Sequence, residues 1–372
     1  MNMNPRQLIF VREYRGYSQT ELSSHIVGLS QSNLSKYEKG IGSLSEEVKQ
    51  RIIDFLGFPE AFYEQTISNN VENAHYRKKA GVSKKDKEQI ERSNKLIGYI
   101  IDQMSDSIEF PEFDLKMLAL EDGFTPASAA RFTRKFMGIK LGAVRDICDL
   151  LERHGIVIVE QSYDIDGFDG VSFLTDKGIP VMIINRDFSN DRKRLTIAHE
   201  LGHIIMHISD RIAIPDYRNN EKNKELEANQ FAAEFLMPKE EIEGSLRGLK
   251  LSSLMPLKQF WLTSMASIVR RAFDLNCIDK KWYTYLNIEL SRRGYKKQEP
   301  KPDVYLDYPR NFFVANRMFH EDLGYSNIDM SNAFCLPIDV IQTFCSGKPK
   351  LKIVPIEKEF QKTNQTKSTY HG

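Results

Sequence analysis

Long apolar runs, paired cysteines and net charge are all missing from this sequence. No uninterrupted apolar stretch approaches the roughly 20 residues that span a bilayer. The longest, such as Ile156 to Val159 and Val181 to Ile184, have the length of strands. Met1 to Gln19 is polar and soon charged, unlike a secretory leader. The four cysteines, Cys148, Cys277, Cys335 and Cys345, show no CxxC spacing. A chain of 372 residues can bury a core without disulfide staples, so thiols in or near cores are expected. Lys and Arg number 52 against 51 Asp and Glu, a net charge of +1 that argues against a general polyanion binder. It does not exclude one base-reading module. Internal repeats are also absent. These bounds predict a soluble, cytoplasmic chain of two or three domains.

What is present changes along the chain. The first 63 residues read as short helices with tight turns: Pro5 to Tyr14, a second opening at Ser18, a third from Ser30 to Lys39, and a fourth from Leu44 to Leu56. The fourth has Ser43 and Glu46 at capping-box spacing. Residues 76–95 carry eight basic residues against three acidic, a local charge of +5, with Ser83 placed to cap a helix to about Met104. That stretch reads as a basic linker, most simply a solvated connector, leading into a long helix. Helices are then expected over Pro126 to Phe136 and Val144 to His154. A strand follows over Ile156 to Val159, and a hairpin of Val171 to Leu174 and Val181 to Ile184 turns at Asp176-Lys177-Gly178. Two further helices, Leu195 to His207 and Glu225 to Leu236, complete an α+β pattern.

The first of those two helices holds His199-Glu200-Leu201-Gly202-His203. Histidines at i and i+4 lie one turn apart on one helix face, so both imidazoles can converge on one zinc. Glu200 beside the first of them is placed to act as general base on an activated water. A third protein ligand is needed. His207 continues the series but lies about 12 Å along the axis from His199, too far for one ion on an unbroken helix. It reads as a packed or hydrogen-bonded histidine. The later helix offers Glu225, with Asn229 one turn on and Leu226, Ala233 and Leu236 as its packing face. Glu221, Glu227 and Glu234 compete as acids, and periodicity does not exclude Glu227.

The run from Thr196 to His207, followed by Glu225 to Pro238, resembles the ImmA/IrrE-type metallopeptidases, which are similar to gluzincins. The resemblance implies zinc on His199, His203 and Glu225, with Glu200 as catalytic acid/base. It also implies a substrate class, transcriptional repressors. The strand around Val181 to Asn185 could offer a free edge to which an extended peptide adds. Tyr217 is a candidate oxyanion partner.

Ser18 to Leu22 and Ser30 to Gly40 resemble the helix-turn-helix of the Cro/repressor (XRE) family. In that arrangement Gln31, Ser32 and Asn33 stand at the start of the third helix, where side chains reach base edges, with Ser35 and Lys36 on the same helix. Gln19 can buttress a phosphate, and Leu34 and Tyr37 face inward. Residues 1–63 balance seven basic against seven acidic residues, so phosphate attraction from this module alone is weak, and the +5 stretch could supply the missing charge.

The expected organisation is a multidomain α+β chain. An all-α helix-turn-helix domain (1–66) and a basic linker with a long helix (67–110) precede a gluzincin-like metallopeptidase domain (111–298). A small C-terminal domain (299–356) and a disordered tail (357–372) follow. The expected activity is a zinc-dependent endopeptidase that acts on a repressor-type regulator and binds DNA, with no membrane partner and with homodimerisation left open. The alternative is a DNA-binding regulator whose metal site is structural or sensory.

Overall fold

The computed structural model describes residues 2–65, 67, 83–118, 120, 123–163, 168–207, 221–300 and 302–345. Tyr217 and the tail 357–372 lie outside the described residues. Five short helices open the chain: α1 (Pro5–Tyr14), α2 (Gln19–His25), α3 (Gln31–Glu38), α4 (Glu46–Leu56) and α5 (Glu60–Glu64). The side chains of Asn4, Ser18, Ser30 and Ser45 cap the first four, accepting from the backbone N–H groups of Arg6, Glu21, Asn33 and Val48. The fourth cap is Ser45 and not the expected Ser43. Starting there puts Glu46 and Glu47 together in the first turn, at the positive end of the helix dipole. It also lines Val48, Ile52 and Leu56 along one buried stripe.

Helix α6 (Lys84–Met104) is capped by Ser83 as expected, but it is not a solvated connector. Ile90, Leu96, Ile97, Ile100, Ile101 and Met104 are buried. Its basic residues are partly neutralised by the helix-turn-helix itself: Arg92 pairs with Glu13 at 2.8 Å and Lys85 with Glu21 at 3.5 Å. Residues 76–82 of the +5 stretch lie outside the described residues; within the described part, Lys85 and Arg92 are engaged by acidic residues of the N-terminal helices.

Helices α7 (Pro126–Phe136) and α8 (Ile147–Arg153) lead to the sheet. Helix α8 starts three residues later than Val144, because the carbonyls of Val144 and Arg145 accept from the buried guanidinium of Arg194. The N–H groups of Cys148 and Asp149 donate instead to the carboxylate of Asp307. Gly155 then ends the helical segment at φ +82°, where a Cβ would fall 2.4 Å from the backbone nitrogen of Phe113.

Three strands, β1 (Val157–Gln161), β2 (Gly170–Leu174) and β3 (Pro180–Asn185), form a sheet in the order β1-β3-β2. The β2–β3 hairpin is antiparallel as expected, while β1 pairs with β3 in parallel. Strand β3 is consequently central and offers no free edge. Among the described residues the outer edges of β1 and β2 both lack a strand partner.

Helices α9 (Asn190–His207), α10 (Glu221–Leu236), α11 (Lys239–Leu246), α12 (Leu254–Trp261), α13 (Met265–Asp274) and α14 (Lys280–Arg292) follow. A last group, α15 (Asn311–Glu321), α16 (Asn327–Ala333) and α17 (Ile338–Cys345), ends the described chain. The architecture is multidomain α+β, a helical N-terminal region followed by a small sheet among many helices. No described helix is long and apolar enough to cross a membrane. All four cysteines are free thiols; Cys148 and Cys345 are buried and Cys277 and Cys335 half-buried.

Side chains alternate across a strand with period two, and here each face of the sheet joins a different core. Val157, Val159, Val171, Phe173, Val181 and Ile183 pack in one core with the helix-turn-helix, α6 and α15 to α17. Ile158, Met182 and Ile184 point the other way, into a core with α7 to α14. Every residue of β3 is buried.

Candidate metal centre and DNA-reading face

Helix α9 lies against the second face of the sheet and carries the HELGH segment. The strand register explains its fit. Gly170 pairs with Ile184 and Ser172 with Met182, so the small residues of β2 face α9 while Val171 and Phe173 face away. At Gly170 a Cβ would meet Thr196 Cγ2 at 2.5 Å, so only glycine lets the strand approach so closely. Gly202 plays the same part on the opposite flank, where a Cβ would sit 3.2 Å from the Phe231 side chain of α10. The buried residues of α10's packing face are Ala228, Phe231, Ala232, Phe235 and, as expected, Leu236, while Ala233 is half-buried. Leu226, expected on that face, is 54% exposed, because α10 turns Glu225 and not its neighbour toward α9.

Three donors converge. His199 Nε2 and His203 Nε2 stand 3.1 Å apart, and each lies 3.4 Å from an oxygen of Glu225. Donors about 2.0–2.1 Å from a tetrahedral zinc are spaced about 3.3–3.4 Å from one another, so this set fits such an ion. His199, His203 and Glu225 are the group of potential metal ligands found among the described residues. Burial works to raise the carboxyl of Glu225, but its hydrogen bonds with His199 and His203 overcome that and hold it well below the usual carboxylate range.

The competing acids are otherwise engaged. Glu227 meets His207 Nε2 at 3.0 Å. Glu234 pairs with Arg131 at 2.9 Å and with Arg271. The side chain of Glu221 lies outside the described residues. His207 is a hydrogen-bonded histidine, as its spacing predicted: its Nδ1 stands 2.9 Å from His203 Nδ1.

Glu200 is 2% exposed, and Ser172 Oγ donates to its Oε2 at 2.8 Å. Asn229 donates from Nδ2 to the Glu225 carbonyl at 2.7 Å, fixing the turn that presents the carboxylate. Asp169, Gly170, Leu195, Thr196, His199, Glu200 and Asn229 line a small cleft beside the donors. Asp169 of this lining pairs with Arg192 at 2.7 Å, and the Arg192 guanidinium lies over the Phe188 ring at 3.6 Å. Sequence reasoning missed Ser172 and Gly170. The alternation of small Gly170 and Ser172 with bulky Val171 and Phe173 was the available signal.

The second site lies on the N-terminal helices. Gln31, Ser32, Asn33 and Lys36 are exposed on α3, and Ser35 is half-buried. Leu34 and Tyr37 face inward, and the Tyr37 hydroxyl donates to the Met3 carbonyl at 2.5 Å. A polar chain orients Gln31, the first residue of α3. Arg12 donates to Glu38 at 2.7 Å, Gln19 Nε2 donates to Glu38 at 2.6 Å, and Gln31 Nε2 donates to Gln19 Oε1 at 2.9 Å. Gln19 is thus tied to both α3 and Glu38, at the first turn of α2.

Comparison with known proteins gives two family matches. Residues 151–273 match the peptidase family described as the IrrE N-terminal-like domain, and residues 10–63 match the helix-turn-helix family. No curated protein matches the chain. The two matches support a DNA-binding, protease-like protein, and the chain resembles, in order, a Cro/repressor-type helix-turn-helix protein and an ImmA/IrrE-type metallopeptidase.

Proposed function

We propose that this chain is a zinc-dependent endopeptidase that binds DNA through residues 1–66 and cleaves a repressor-type transcriptional regulator with residues 111–298. The observation that carries this reading is the convergence of His199, His203 and Glu225, 3.1–3.4 Å apart, beside a buried Glu200. His199, His203 and Glu225 would hold the ion. Zinc at such a site supplies a Lewis acid and brings the pKa of a water toward about 7. Glu200, with Oε2 held by Ser172, takes the proton of the attacking water and passes it to the leaving amine. An extended peptide adds to the outer edge of β2, where Gly170 and Ser172 bring the strand against α9. In this reading Gln31, Ser32, Asn33, Ser35 and Lys36 contact DNA, and Gln19 supports a phosphate contact.

The test is proteolysis of the regulator encoded beside this protein, comparing wild type with Glu200→Gln. Removing the general base is expected to lower the rate about 10²–10⁴-fold without loss of zinc or of the fold. Cleavage unaffected by Glu200→Gln would sink the mechanism. Regulation that survives Glu200→Gln but vanishes on chelation would support the alternative, a DNA-binding regulator with a sensory or structural metal.

A further inference from the structure

The HELGH helix continues past its second ligand to a third histidine that the catalytic reading does not use. His203 is fully buried, and the His207 side chain is 4% exposed. His203 presents Nε2 to His199 and Glu225 and turns Nδ1 to His207 Nδ1 at 2.9 Å; His207 in turn presents Nε2 to Glu227 Oε2 at 3.0 Å. The chain Glu227–His207–His203 therefore ends on a donor atom of the metal cluster.

A neutral imidazole carries one N–H and one lone pair, so these contacts cannot be assigned independently. The Glu227 carboxylate accepts only, which places the His207 proton on Nε2. The lone pair of His207 is then on Nδ1, and it accepts from His203 Nδ1–H. That leaves the lone pair of His203 on Nε2, aimed at the centre between His199 and Glu225. Reversing the His207 tautomer would turn an N–H toward His203 Nδ1, moving the His203 proton to Nε2 and blocking the ligand atom. The geometry points to Glu227 and His207 as a two-ring tautomer lock that holds the Nε2 lone pair of His203 ready for the ion. They are positioning residues. This inference rests on the metal-centre reading, since only an ion on His203 Nε2 gives the lock something to serve. Such outer partners typically change metal affinity by about 10–100-fold when removed.

The experiment measures zinc affinity by competition with a chromogenic chelator for wild type, Glu227→Ala, Glu227→Gln and His207→Phe. Melting in excess chelator checks that each metal-free variant is folded. The lock predicts about 10–100-fold weaker zinc binding for Glu227→Ala and His207→Phe. Glutamine keeps an oxygen that accepts from His207 Nε2–H, so Glu227→Gln should stay within about threefold of wild type. A Glu227→Ala variant that binds zinc as tightly as wild type overturns the lock. So does a Glu227→Gln variant as weak as Glu227→Ala, which would mean that charge and not tautomer is at stake. Should His207→Phe fail to fold, the alanine–glutamine pair at the half-exposed Glu227 still decides. Long-range ¹H–¹⁵N spectra of the zinc-loaded wild type give a second readout: the proton of His207 must sit on Nε2, and finding it on Nδ1 refutes the scheme. Wild type that takes up no zinc overturns the metal centre itself, and with it the lock, whereas tight wild-type binding with indifferent variants overturns the lock alone.

Discussion

The two faces of one small sheet make opposite uses of the same strand. On β3, Val181 and Ile183 belong to the core that carries the helix-turn-helix, whereas Met182 and Ile184 belong to the core that carries the metal donors. The first core leaves the polar residues Gln31, Ser32, Asn33 and Lys36 outside, on the exposed face of α3. The second encloses its working groups: His199, Glu200 and His203 are all buried. A surface that reads DNA needs only a scaffold behind it. A site that must arrange three donors within 3.4 Å needs packing on every side.

The sharpest way to break that comparison is a matched pair, Ile183→Ala and Ile184→Ala. Both side chains are fully buried, adjacent and identical, so each should cost about 2–5 kcal/mol by urea unfolding. Their secondary readouts should separate. Ile183→Ala should loosen the helix-turn-helix side and weaken DNA binding, while Ile184→Ala should weaken zinc binding. Equal loss of both ligands in both variants would mean the two cores behave as one.

Next comes the seam between the cores. Glu152, at the end of α8, accepts from the N–H groups of Arg310 and Asn311 and so caps α15, which belongs to the other core. Burial lifts its carboxyl to about 7, opposed by those amide donors. A group raised this way contributes stability below its unfolded value near 4.5 and loses it as pH rises through about 7. Glu152→Gln should therefore flatten the pH dependence of melting across that window. A melting profile as steep as wild type between pH 5 and about 7.5 would show that the seam titrates elsewhere.

A smaller effect is expected at the crossing of α9 and α10. Alanine at Gly202 gains about 1 kcal/mol in helix propensity. Its Cβ also lands 3.2 Å from three atoms of Phe231, in packed surroundings where such insertions cost about 1–3 kcal/mol. The net should be a loss of about 1 kcal/mol, together with weaker zinc binding as the helices part. A stabilised Gly202→Ala variant would show that the helices separate freely. On the other side, Asn33→Ala removes an exposed side chain and should leave melting unchanged. Binding to the preferred DNA site should weaken by about 1–3 kcal/mol, with little change on random DNA. An equal loss on both would remove Asn33 from base reading.

Legibility in the sequence followed the range of the interactions. His199, Glu200 and His203 could be read because one helical turn brings them together whatever lies around them. The inward Leu34 and Tyr37 and the outward Gln31 and Asn33 were legible for the same reason. The hairpin was visible in its turn at Asp176 to Gly178, but the insertion of β3 between β2 and β1 was not, since no local pattern encodes a parallel pairing between Val157 and Val181. Hence the free edge was expected on the wrong strand. Separating Glu225 from Glu227 required knowing that His207 would occupy the second of them. The burial of α6 was hidden by Lys84, Lys85 and Lys87 in its first turn, although Leu96 to Met104 already carried the apolar stripe. Helix α8 was shortened by Arg194 and Asp307, residues distant in sequence that claim its first carbonyls and amides.

The shared wall matters to anyone who would cut this chain. A fragment spanning residues 111–298 would keep all three strands and both histidine ligands, yet without the N-terminal helices and α15 to α17 it would carry Val157, Val159, Val171, Phe173, Val181 and Ile183 as a naked greasy plate. Such plates stick to one another. Poor behaviour of that fragment in solution would say nothing about the chemistry on its far side, and the remedy would be to repaint those positions with polar side chains before making the cut.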